Sequence, residues 1–316
     1  MISIIEQVML IIKNDGLTQA EVSRQSGVSQ SILSPLIKGT YKGNSEANMQ
    51  QLQNWLNTYA NNKAAKVELP TLNKPSFVKL PLASRFLGLM SMAQSEKFFT
   101  MVYEGSGVGK TMTAAHYAST NSNVWIITAS DNIKSKKAFF SALARAMNID
   151  TTGLTIDRID YAIGQKITGS HGLIIIDEAQ YVTDANLNAL RILADNKVGV
   201  TLLGNDVVRT RMSAVRHRAD MNPFWSRVMM PLKVTSTPKA DIKAYLYAWG
   251  VNPEINPQYQ KVIDWACTNI PNTRGQLRTL SLIMSMAVRM AQGRNECLGV
   301  EHLEPVYKTM SAVAER

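Results

Sequence analysis

Residues 104–111 read Glu-Gly-Ser-Gly-Val-Gly-Lys-Thr. Before them, Phe98–Tyr103 is a largely apolar run suited to a buried strand, and after them Met112–Ser119 has helix-forming composition. The order strand, glycine-rich loop, helix is the context in which a loop cradles phosphate. Glycines let backbone N–H groups converge where side chains would clash, and the next helix aims its positive end at the same anion. The residues expected to touch a nucleotide are Gly105, Ser106, Gly107, Val108, Gly109, Lys110, Thr111 and Met112. Lys110 is placed to reach the β- and γ-phosphates, and Thr111 to give a hydroxyl to Mg²⁺. The usual pattern opens with glycine six residues before the lysine; here that residue is Glu104, read as a variation at the strand exit.

A second stretch completes the chemistry. Leu173-Ile174-Ile175-Ile176-Asp177-Glu178 reads as a central strand ending in two carboxylates. Ligands of open parallel sheets bind at that strand end. Asp177 is placed to hold Mg²⁺, and Glu178 to polarise the water that attacks the γ-phosphate of ATP. A further run, Val200–Gly204, ends in Asn205. That side chain is either a hydrogen-bonding group for the water or the γ-phosphate, or an ordinary turn asparagine.

The chain has 316 residues, 45% hydrophobic and 18% charged, enough for two or three folded domains. Cys267 and Cys297 cannot build a disulfide framework, which fits a cytoplasmic location, in a bacterium or a phage-infected host. Met1–Ile12 reads as an amphipathic helix and not as a signal peptide, and no run approaches membrane-spanning length. The net charge of +10 favours a polyanion, nucleic acid before membrane.

Four segments follow from the patterning. Residues 1–62 form an all-α domain, 63–81 a proline-bearing linker, 82–235 an α/β core and 236–316 a helical lid. In the first, Thr18 with Glu21 makes a capping box, Gly27 allows a sharp turn, and Ser29 caps a second helix. Candidate strands of the core are Phe98–Tyr103, Val124–Ala129, Gly172–Asp177, Gly199–Gly204 and Arg227–Val234. With helices between them they predict a doubly wound parallel sheet.

Residues 17–39 resemble a phage-repressor-like helix-turn-helix, which implies that Gln30, Ser31 and Ser34 lie nearest the bases of double-stranded DNA. The loop, the Asp-Glu strand end and the helical tail together resemble the AAA+ P-loop ATPases. That likeness implies a DNA-stimulated ATPase whose active site lies between subunits. It places Arg278, in Thr273–Arg278, opposite the γ-phosphate. It also calls for an arginine from a neighbouring subunit, with Arg227 preferred and Arg216 and Arg218 as alternatives.

The order of domains, Asn123–Thr128 as second strand and the Leu-Ile-Ile-Ile-Asp-Glu-Ala segment resemble the phage Mu transposition protein B family. The resemblance implies an ATP-driven homo-oligomer, in helical filaments on DNA, that selects target DNA, hands it to a transposase and stimulates that enzyme. Two basic stretches are candidates for the DNA path. One is Lys134, Lys136 and Lys137; the other is 207–239, with seven basic residues against Asp220. Two other functions remain open: a loader or remodelling ATPase with another client, and a nucleotide-sensing repressor.

Overall fold

The computed structural model describes residues 3–67, 72–103, 105–214, 222–294 and 296–314. The chain divides into two compact units, Met1–Thr71 and Leu72–Arg316.

Among its described residues the first unit has four helices: α1 Ile4–Asp15, α2 Gln19–Ser26, α3 Gln30–Ile37 and α4 Glu46–Val67. Its core gathers Val8, Val22, Val28, Leu33, Leu52 and Trp55. The α2 capping box is present, with the Glu21 N–H donating to Thr18 Oγ1 at 3.2 Å and the Thr18 N–H to Glu21 Oε2 at 2.7 Å. α2 ends at Gly27, whose φ of 76° suits the turn into α3. Ser29 stands at the expected cap position but makes no side-chain cap bond, because its hydroxyl is shared with Ser31 at 3.0 Å. Gln30 and Ser31 are exposed and Ser34 is half-buried. α4 runs well past Tyr59, so the helix takes up the first part of the segment read as linker.

The second unit is a five-stranded parallel sheet in the order β2-β3-β4-β1-β5. Its strands are β1 Phe99–Tyr103, β2 Val124–Thr128, β3 Leu173–Asp177, β4 Gly199–Leu203 and β5 Leu232–Lys233. The helices of the core are α5 Pro81–Glu96, α6 Lys110–Thr120, α7 Lys136–Ala146, α8 Ile156–Ile167, α9 Asp184–Ala194, α10 Asp206–Ala214 and α11 Asn222–Trp225. β1, β3 and β4 are buried along their whole length, as continuous apolar runs demand. Ile174 and Ile176 face one core layer with Phe139, Phe140 and Leu190; Leu173 and Ile175 face the other with Phe86 and Met90. β2 is an edge strand and alternates between half-buried and buried positions up to an exposed Thr128.

Two expectations are corrected here. The fifth strand is two residues long, not the eight of Arg227–Val234, because Pro231 has no N–H to donate and Met230 sits at a φ of 52°. Among the described residues only an isolated bridge, Val228 to Phe99, precedes it. Residues 72–80 are no free tether. Leu72 and Leu80 are buried, and α5 begins at Pro81, where proline is pre-set for a first helical turn.

The chain ends in α12 Lys239–Ala248, α13 Tyr259–Asn269, α14 Gln276–Gly293 and α15 Val300–Ala314. Ile242, Leu246, Ile263, Leu280, Ile283 and Leu303 are among their buried residues. Asp241 of α12 is fully buried and accepts the Leu82 N–H of α5 at 3.1 Å, tying the helical segment to the core. Among the described residues no helix is long and apolar enough to cross a membrane.

Candidate nucleotide site

The loop between β1 and α6 turns through three left-handed glycines, Gly105, Gly107 and Gly109, at φ of 51°, 73° and 93°. Gly109 starts α6 without a side-chain cap, which leaves the first N–H groups of the helix for an anion. The loop borders a cavity of about 940 Å³. Asp177 and Glu178 at the end of β3, Asn205 beyond β4, Met112 of α6 and Arg278 of α14 border it too. Glu104, Arg216 and Arg218 lie outside the described residues.

Thr111 and Asp177, 66 residues apart, meet here: Thr111 Oγ1 donates to Asp177 Oδ2 at 2.7 Å. Asp177 is almost fully buried, and its other oxygen accepts the Glu178 N–H at 2.9 Å. One hydroxyl and one carboxylate converge on a single point. Hard oxygen ligands, few in number and completed by phosphate and water, suit Mg²⁺. The Lys110 ammonium donates to the Gly105 carbonyl at 2.7 Å. Burial pushes its pKa below the ordinary lysine range and Arg278 adds to that, while Asp177 and Glu178 pull the other way. Lys110 and Arg278 therefore lie close enough to act on one anion.

Glu178 is exposed at the rim in a left-handed conformation, φ 53°, which costs a non-glycine residue about 1–2 kcal/mol. Its carboxylate accepts a hydrogen bond from Gln180 Nε2. Asn205 is exposed, and its side-chain oxygen accepts the Val207 N–H at 3.0 Å, capping α10. That is the bond of a turn asparagine, made at the mouth of the cavity.

Two contributors escaped the sequence reading. Residues 74–80 form a wall of the cavity, and Phe77 stacks on His116 of α6 with ring centroids 3.9 Å apart. The paired apolar residues Phe77 and Val78 between Pro75 and Pro81 were the available signal. The second is the approach of the phosphate loop to the helical tail: a Cβ on Gly107 would stand 1.8 Å from the Gly275 carbonyl oxygen.

The basic residues are distributed unevenly. Lys136 and Lys137 are exposed in the first turn of α7, where their charge opposes the helix dipole, and Lys134 pairs with Asp131 at 2.5 Å. In the other stretch Arg211 is held by the Val182 carbonyl at 2.6 Å and by Asp184. Arg209 lies 5.8 Å above the Tyr103 ring. Arg227 donates to Asp195 Oδ2 and to the Pro223 carbonyl, each at 2.8 Å. Its own carbonyl accepts the Phe99 N–H at the start of β1, so it sits at the sheet edge opposite the phosphate loop.

Comparison with known proteins agrees with this fold. Residues 93–212 match the AAA domain family and 226–310 the C-terminal family of the Mu B transposition protein. The ATP-dependent target DNA activator B of Escherichia phage Mu is 28% identical over 301 residues, 95% of this chain and 92% of that one. The Mu-like prophage FluMu DNA transposition protein B of Haemophilus influenzae is 31% identical over 267 residues, 84% of this chain and 89% of that one. Among solved structures, the Aeropyrum pernix ORC2 protein aligns with a TM-score of 0.55 at 16% identity, over 72% of this chain and 65% of that chain. The last likeness speaks for the fold alone.

Proposed function

The chain belongs to the Mu transposition protein B family, and we propose that it is an ATPase that assembles on double-stranded DNA, delivers that DNA to a transposase and stimulates the enzyme. One observation carries the ATPase part: the Thr111–Asp177 hydrogen bond, which closes the phosphate loop onto the strand end that bears Glu178. The DNA and transposase parts rest on the relatives, one described as an activator of target DNA and one as a DNA transposition protein.

In this reading Phe77, Val78 and Leu80 hold the adenine and the loop N–H groups hold the phosphates. Lys110 neutralises the β- and γ-oxygens, and Arg278 approaches the γ-phosphate from the tail. Thr111 and Asp177 would hold Mg²⁺, which would supply positive charge to offset that of the phosphate oxygens. Glu178 directs a water at the γ-phosphorus and takes its proton. Asn205 steadies that water. An arginine of a neighbouring subunit completes the site. For Arg227 to serve, its pairing with Asp195 must first break, so Arg216 and Arg218 gain weight. Lys134, Lys136 and Lys137 make sequence-tolerant phosphate contacts, and Gln30, Ser31 and Ser34 contribute a second, tethered DNA contact.

Electron microscopy of the protein with linear duplex DNA and ATP tests this reading. Continuous helical filaments are expected, and none should form with Lys110→Ala. Closed rings would point to a loader, and isolated dimers on one sequence to a repressor; either result rejects the proposal. Glu178→Gln should bind ATP normally and lose turnover by about a hundredfold or more.

A further inference from the structure

Gln276, two residues before Arg278, opens α14 with a buried side chain, whereas Arg278 is exposed. It stands at a φ of 41°, a left-handed conformation that a residue with a side chain keeps only where its surroundings enforce it. Here the surroundings are hydrogen bonds. Gln276 Oε1 accepts both the N–H and the hydroxyl of Thr237, the latter at 2.7 Å. Its Nε2 donates to the Thr235 carbonyl at 3.5 Å. A backbone N–H can only donate, so the Thr237 N–H fixes which end of the amide is oxygen. The backbone is held as well: the Gln276 N–H donates to Thr273 Oγ1 at 3.0 Å.

Thr235 and Thr237 belong to the segment that leaves β5 for α12, and that segment passes the phosphate loop. The Val234 N–H donates to the Tyr103 carbonyl at 3.1 Å, and the Val234 carbonyl oxygen lies 2.8 Å from where a Cβ on Gly105 would stand. Gly275, the neighbour of Gln276, meets the same loop at Gly107, and its carbonyl accepts the Arg278 N–H at 2.8 Å. The Gln276 amide therefore joins two stretches of backbone that both touch the loop, and Arg278 follows on the turn that this amide anchors.

We propose that Gln276 is a positioning residue that holds the start of α14 against the phosphate loop and so sets Arg278 where a nucleoside triphosphate is told from a diphosphate. The proposal rests on the reading of Arg278 as the group that approaches the γ-phosphate. An arginine on a helix end free to tilt spreads over many positions, and ordering it costs binding energy. A buried amide with its partners in place fixes that turn on folding, before the nucleotide arrives. ADP has no γ-phosphate, so the gain appears with ATP alone.

The test compares the affinity of the full chain for Mg²⁺-ADP and for the Mg²⁺ complex of the β,γ-imido analogue of ATP, by calorimetric titration. Gln276→Ala should weaken the analogue about tenfold and leave ADP within about twofold. Arg278→Ala should do the same or more, and the double variant should be no weaker than Arg278→Ala, since Gln276 acts through the arginine. Thr237→Val removes only the hydroxyl donor. It should move the analogue in the same direction by a smaller factor, and it replaces Gln276→Ala in the comparison if that variant does not fold. Equal losses for both nucleotides would mean a merely structural role and overturn the proposal. Losses that multiply in the double variant overturn it as well, because Gln276 then acts without Arg278. If Arg278→Ala weakens the analogue while the Gln276 and Thr237 variants bind both nucleotides as wild type does, the positioning is wrong and the role of Arg278 stands. If Arg278→Ala spares the analogue, the role of Arg278 fails and takes the positioning with it.

Discussion

Replacing Gly107 by alanine should separate the phosphate loop from the helical tail, and Gly109→Ala provides the matched control. Both glycines are left-handed, at φ of 73° and 93°, so both substitutions carry backbone strain of about 1–2 kcal/mol. Only the first meets an obstacle. A Cβ at Gly107 would stand 1.8 Å from the Gly275 oxygen and 2.5 Å from its carbon, whereas nothing lies within 4 Å of one at Gly109. Carbon contacts settle at about 3.5–4.0 Å, so loop and tail must part by about 1.5 Å or more. Both obstructing atoms are backbone and cannot rotate away. Overpacking of this kind costs about 1–3 kcal/mol beyond the strain. In a unit of this size that is a melting temperature about 2–10 °C lower for Gly107→Ala than for Gly109→Ala, measured by calorimetry without nucleotide. The separation also carries Arg278 and Leu277 away from the cavity, so ATP affinity measured by titration should fall with it. Equal melting temperatures for the two variants would refute the claim that loop and tail are in contact.

Phe77→Ala removes the ring stacked on His116 and should weaken ATP binding about three- to tenfold while leaving tripolyphosphate binding unchanged, since only the base loses its wall; equal losses for both ligands would place the base elsewhere. Burial raises the Asp241 carboxyl above its ordinary 3.8, with the Leu82 N–H and Arg85 opposing, so the fold holds this proton more tightly than the unfolded chain does. The stability this group contributes is full below 3.8 and is lost as pH rises through the raised value. Asp241→Asn should therefore melt higher than wild type at pH 7, with the gap closing towards pH 4; a gap that is constant with pH would contradict it. Arg227→Ala breaks the half-exposed pair with Asp195 and should cost about 0.5–1 kcal/mol, read as a small drop in melting temperature. If Arg227 also serves a neighbouring subunit, mixing this variant with Glu178→Gln protein should restore part of the turnover, and no recovery at any ratio removes Arg227 from that role.

The sequence by itself determined the elements whose signals are local. Three glycines, a lysine and a threonine between an apolar run and a helix identify the phosphate loop. Four apolar residues before Asp177 identify a buried central strand, because a strand covered on both faces needs an unbroken apolar run. Thr18 with Glu21 marks a helix start through a bond that spans only three residues. The start of the fifth strand is a local signal too: Pro231 cannot donate to the ladder, and the strand begins only after it despite the apolar residues before it.

Only the tertiary structure decided which distant residues share a site. Residues 74–80 read as linker because they lack periodicity, yet they wall the cavity; an extended strap takes its partners from α6, a pairing that no local pattern encodes. Gln180 reaches Asn205 across 25 residues and Gly107 approaches Gly275 across the whole core. Arg211 and Arg227 counted as free charge in the sequence, but Asp184 and Asp195 neutralise them, and those partners depend on how α9 packs against its neighbours. Composition records that a charge exists. Its partner is set by the order in which the strands are laid side by side, and with it whether the charge is available to DNA.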